Sequence, residues 1–111
     1  MTQKKIYEFD EKKKIPSELL PEAEPLDIED VLGKEMVVIQ AKQHELPYQG
    51  VVQHLTEYLV ELDGKDSIFF TWSTVLFDQF SRMEAAGETP FRAKLMREKS
   101  QGKTYYTFKA V

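Results

Sequence analysis

From residue 34 onward, apolar positions recur with a period of two, switch once to a period of 3.6, and then return to two. Val37, Ile39 and Ala41 alternate along a first strand over residues 34–43. A loop over residues 44–50 follows, with Pro47 and Gly50 as breakers. A second strand covers residues 51–62, and Asp63-Gly64 forms a hairpin turn into a third strand over residues 66–72. Val75, Leu76, Gln79, Phe80 and Met83 then share one helical face. Ser73 or Thr71 caps that helix, and Gly87 ends it. Strands resume at Phe91 and at Lys103.

The last two strands fix their own register. With Gln101-Gly102 as a two-residue turn, Ser100 faces Lys103, Leu95 faces Phe108 and Ala93 faces Ala110, all apolar pairs after the first. The opposite face then holds Lys94 against Lys109, Met96 against Thr107 and Glu98 against Tyr105. Three strands, a helix and two strands is the element order of the OB-fold. The expected architecture is therefore mainly β: a five-stranded Greek-key barrel with one helix between strands 3 and 4. Val37, Ile39, Leu76, Phe80, Leu95 and Phe108 are expected to share its core.

The start of the chain breaks this pattern. Residues 1–25 are rich in Lys, Glu and Pro, with only scattered apolar side chains, and read as a flexible, acidic, peripheral arm. Residues 26–111 form the domain, opening with one helical turn over residues 27–32 that Gly33 stops.

Composition narrows the function classes. A chain of 111 residues with 41% hydrophobic content suits one domain with one core. The absence of cysteine excludes disulfides and thiolate metal sites and agrees with a cytoplasmic setting. No apolar run approaches membrane-spanning length, and the charged first 14 residues lack the apolar core of a secretory signal. The net charge of −4 is unevenly spread. The last 22 residues carry six basic side chains against Glu98, or +5, which leaves nine basic and eighteen acidic, or −9, on the other 89.

That basic hairpin is the first candidate site. Arg92, Lys94 and Lys109 share a face, Arg97, Lys99 and Lys103 crowd the tip, and Tyr105 adds an aromatic ring. Positive charge with stacking rings is what single-stranded nucleic acid requires. The same lysines also suit a sheet edge kept soluble and unpaired. Strands 2 and 3 supply the second candidate. Glu57 and Glu61 place the 51-53-55-57-59-61 face outward, and hairpin pairing sets Phe70 and Trp72 beside it as an exposed platform. A bulge would instead return both rings to the core. His44 and His54 lack a third ligand, Ser73 lacks a His–Asp partner pattern, and no glycine-rich phosphate loop is present. No covalent chemistry, metal or cofactor is expected.

Three stretches resemble single-stranded-DNA-binding-like OB-fold proteins of phages and mobile elements. They are Asp27-Ile28-Glu29-Asp30-Val31-Leu32-Gly33-Lys34-Glu35, Phe69-Phe70-Thr71-Trp72-Ser73-Thr74-Val75-Leu76, and Thr89-Pro90-Phe91-Arg92-Ala93 followed by Lys103-Thr104-Tyr105-Tyr106-Thr107-Phe108. The resemblance implies an accessory protein of DNA replication or recombination whose basic and aromatic residues contact single-stranded DNA. The alternative is an OB-fold module that docks onto a protein partner without binding nucleic acid.

Overall fold

The computed structural model describes residues 17–111. Its elements are α1 (Ile28–Val31), β1 (Glu35–Tyr48), β2 (Val51–Leu62), β3 (Lys65–Thr71), α2 (Thr74–Ala85), β4 (Phe91–Ser100) and β5 (Lys103–Lys109). The strands form one antiparallel sheet in the order β3-β2-β1-β4-β5, with α2 between β3 and β4 in sequence. The sheet coils strongly. The Tyr58 ring on β2 lies 5.9 Å from Phe108 on β5, although β1 and β4 separate those strands in the sheet. Among the described residues no ladder joins β3 to β5, so the sheet is not closed.

The core fills the inside of the coil. Tyr58 stacks on Phe69 at 5.2 Å, and Phe80 of α2 meets Tyr58 and Phe91 at 6.2 and 6.1 Å. Leu76, Phe80, Leu95 and Phe108 are buried in it, as their periodicity predicts. Val37 and Ile39 are not: Met36 and Val38 are the buried pair, and Val37 and Ile39 are only half-buried. The cause is a bulge. Val38 pairs with Val60 but Gln40 with Leu59, so Ile39 is an extra residue and the two halves of β1 are out of phase. Ala41 therefore does face the core, opposite Tyr58.

The three hairpin turns share one solution. Gln49-Gly50, Asp63-Gly64 and Gln101-Gly102 each place two successive residues at positive φ, between 51° and 77°. The expected loop over residues 44–50 is thus a continuation of β1, with only Gln49-Gly50 as the turn. Pro47 is tolerated there because it pairs with Val52 next to the turn-flanking pair, so its missing N–H points away from β2. No strand among the described residues pairs with that outer side of β1 there, since β4 pairs with it only from Glu35 to Val38. Beyond Thr56 no third strand joins the β1–β2 ribbon among the described residues, and Val51 and Val52 near its tip are 62% and 56% exposed.

Helix α2 is capped at both ends. Ser73 Oγ accepts from Leu76 N–H at 3.2 Å. At the other end Glu88 N–H reaches Met83 O at 2.9 Å and Gly87 N–H reaches Glu84 O at 3.0 Å, with Gly87 at φ +71°. The Gln79 side chain then occupies the free edge of β5: Phe108 N–H donates to its Oε1 at 2.9 Å, and its Nε2 donates to Phe108 O at 3.2 Å. An amide side chain here satisfies backbone groups that a neighbouring strand would otherwise satisfy.

Candidate binding groove

A groove of about 470 Å³ lies where the sheet stays open, between the end of β3 and the start of β5. Phe70, Trp72 and Ser73 line one wall and Thr104, Tyr105 and Tyr106 the other, with Ile28 and Val75 at its limits. Alternation sets these orientations. Phe69 and Thr71 point inward, so Phe70 points outward, paired with Glu57, without the bulge that would bring it back. Trp72 follows the last paired residue of β3 and precedes the helix cap, and it is 54% exposed. Phe70 is half-buried, with the His44 ring 5.9 Å away.

The two tyrosines are oriented by carboxylates. Tyr105 donates to Glu98 Oε2 at 3.3 Å, and Tyr106 to Glu29 Oε1 at 3.0 Å. Desolvation, then the Glu29 bond, raises the Tyr106 pKa, so it stays a hydroxyl donor. Among the described residues, no charged side chain lines the groove. Thr104 and Tyr106 alternate with residues bonded to β4, as Phe108 does, so their N–H and C=O groups face the open side of β5.

The β4–β5 register follows the sequence expectation from Ser100–Lys103 through Leu95–Phe108 to Lys94–Lys109. The basic residues nevertheless disperse. Arg97 makes a forked pair with Glu29, at 2.9 and 3.1 Å. Lys109 pairs with Glu98 at 2.9 Å, which raises its pKa and keeps it charged. Lys94 is half-buried on the outer face. Arg92 and Lys109 line a separate cup beside α2. Lys99 and Lys103 are exposed at the hairpin tip, where Lys99 pairs with the groove residue Thr104. Of the candidates from sequence, Phe70, Trp72 and Tyr105 converge on the groove, Lys99, Lys103 and Arg97 adjoin it, Arg97 through the Glu29 carboxylate it shares with Tyr106, and Arg92, Lys94 and Lys109 lie elsewhere.

Glu57 is a feature that sequence reasoning missed. Its face does point away from the core, but residues 17–26 pack over that face, and Glu57 and Leu55 are buried. Ser17 Oγ donates to the Glu57 carboxylate, Glu18 and Leu19 donate their N–H groups at 3.0 and 3.1 Å, and His44 Nε2 lies 3.0 Å away. Burial alone raises the Glu57 pKa, but these hydrogen bonds outweigh it and hold the carboxyl below its ordinary value. Leu26 completes the cover by pairing in parallel with Phe69, its N–H 2.8 Å from Ile68 O. The signal in sequence is Ser17-Glu18-Leu19-Leu20, where Leu20 N–H bonds Ser17 Oγ at 2.9 Å and folds the turn that presents the donors. The first 16 residues of the expected arm lie outside the described residues. His44 is thus engaged with Glu57, while His54 is exposed on the β1–β2 ribbon, opposite Glu45.

A family model described as a domain of unknown function, DUF8468, matches residues 22–109, and the chain belongs to that family. No curated protein and no solved structure matches the chain.

Proposed function

Family membership assigns no activity, so we propose from the surface that the β3–β5 groove binds single-stranded nucleic acid by base stacking. The observation that carries this reading is Trp72: a large aromatic ring left more than half exposed, beside Phe70 and Tyr105, in a groove that no charged side chain lines among the described residues. Burial is the usual fate of such a ring. An exposed ring in a groove of aromatic neighbours is suited to sequence-tolerant stacking, worth about 1–3 kcal/mol per base. Lys99 and Lys103 at the hairpin tip would meet phosphates. We further infer an OB-type barrel whose β3–β5 ladder is replaced by the Gln79 amide and the α1 turn. The strand order and the coiling of the sheet support that reading. An accessory role in phage or mobile-element DNA replication or recombination follows from the sequence resemblance and rests on it.

A small number of phosphate contacts has a measurable consequence. Two lysine contacts give a salt slope of roughly −1.4, at about −0.7 per contact for single strands. The test is titration of a labelled oligo-dT at two salt concentrations, using wild type, Trp72→Ala and Lys99→Gln/Lys103→Gln. The reading expects Trp72→Ala to lose about 1–3 kcal/mol of binding at nearly constant melting temperature. It expects the double lysine variant to flatten the salt slope. Absence of binding at low salt overturns it.

One observation favours a second reading, a protein-interaction module. The backbone groups of Thr104 and Tyr106 on the free edge of β5 are a template for an added strand. Binding of a strand there would respond to peptide but not to oligonucleotide.

A further inference from the structure

We propose that a second site, the cup between α2 and the β4–β5 end of the sheet, receives an acidic peptide segment carrying one apolar side chain. The cup measures about 370 Å³ and is floored by Met83, Phe91 and Phe108. Arg82, Arg92 and Lys109 surround it, and among the described residues every charged side chain in its lining is a cation. An apolar floor inside a cationic rim calls for an anion with an apolar body.

The floor decides between a peptide and a nucleotide. Its polar group, the Gln79 amide, is already bonded to Phe108 N–H, Phe108 O and Thr107 Oγ1. A nucleobase seated there would bury its edge donors and acceptors without partners, which is costly. A phenylalanine or leucine side chain buries only apolar surface. Carboxylates flanking that side chain would then meet the rim. Arg82 now pairs with Asp78 and Lys109 with Glu98, both at 2.9 Å. Exposed pairs of this kind are weak and exchange readily with a ligand's carboxylates. Arg92 has no ion-pair partner among the described residues, although it also lines a recess of about 220 Å³ with Glu35, Glu61 and Asp63.

The test is fluorescence anisotropy of the labelled heptapeptide GDEFEDG against the full chain. Two control peptides separate the contributions: GDEGEDG keeps the charge, and GNQFQNG keeps the ring. The variant Arg82→Gln/Arg92→Gln removes two rim cations from exposed positions, with melting temperature as the check on folding. The proposal expects at least a tenfold loss of affinity for each control peptide and for the double variant. Trp72→Ala should bind the peptide as wild type does, which separates this site from the β3–β5 groove. Equal binding of GDEFEDG and GDEGEDG, no binding of either, or full affinity in the double variant overturns the proposal. So does an oligo-dT that loses affinity in the double variant by the same factor, since that would assign the cup to nucleic acid.

Discussion

The outer faces of the β2–β3 and β4–β5 hairpins follow the same alternation of side chains and end in opposite states. On β2–β3, residues 17–26 pack over the sheet, so Ile68 and Leu55 are buried and the Glu57 carboxylate is satisfied by donors from the chain itself. On β4–β5 the outward residues Arg92, Lys103 and Lys109 are exposed, and Lys94, Glu98 and Tyr105 are half-buried. A charge on a strand therefore marks a solvent face only if no other segment supplies its hydrogen bonds. The first face uses its charge to hold the fold together. The second leaves its charge available to a ligand.

The core beneath both faces sets the largest effect. Phe80→Ala should cost about 3–5 kcal/mol in chemical denaturation, because Phe80 joins α2 to both Tyr58 and Phe91. A loss below about 1 kcal/mol would mean that the helix is not part of one shared core.

Glu57→Gln comes next and tests the covered face directly. The amide keeps the shape but loses the charge that attracts the surrounding donors, at a cost of about 2–3 kcal/mol. Limited proteolysis between residues 17 and 26 should accelerate with it. The same contact predicts a pH dependence. Because the folded-state pKa lies below the ordinary value, its stabilisation is complete above the ordinary glutamate range, near pH 4.3, and is lost as pH falls through the lower folded value. Wild type should therefore lose stability on acidification there, and Glu57→Gln should lose less.

A smaller effect of opposite sign is expected at Tyr58. Its hydroxyl is buried without a partner among the described residues, and burial raises its pKa well above the ordinary tyrosine value. Tyr58→Phe should stabilise the protein by about 1 kcal/mol, since an unsatisfied buried hydroxyl is removed and the ring contacts remain. Clear destabilisation would reveal a partner for the hydroxyl. The smallest effect belongs to the open face. Lys94→Gln removes a repulsion with the directly opposed Lys109 and should raise stability by a few tenths of a kcal/mol. A loss of more than about 1 kcal/mol would show Lys94 to be a structural residue.

The element order, two of the three X-Gly turns and the β4–β5 register were legible because each rests on local chemistry and a period-two pattern. The third turn was hidden by Pro47, a breaker that an unpaired strand edge accommodates. The Val37 and Ile39 burial was misread because one bulged residue reverses the phase, and no local signal distinguishes Ile39 from its neighbours. Glu57 was unreadable for a different reason: its partners Ser17, Glu18 and Leu19 lie about forty residues away in the chain. Trp72 was readable as an alternative, platform or core, and the straight pairing of β2 with β3 resolves it toward exposure. The dispersal of the basic residues depended on Glu29, 68 positions from Arg97, and could not be read from the hairpin alone.

The central claim is that the groove beside Trp72 is where a single strand stacks, and Trp72 is the chain's one tryptophan. Its fluorescence therefore reports that site without a label. Titrating the wild-type protein with oligo-dT at low salt should quench the emission saturably, with the same midpoint as binding measured by anisotropy. Binding by anisotropy with an unchanged tryptophan spectrum, or no binding at all, would contradict the account.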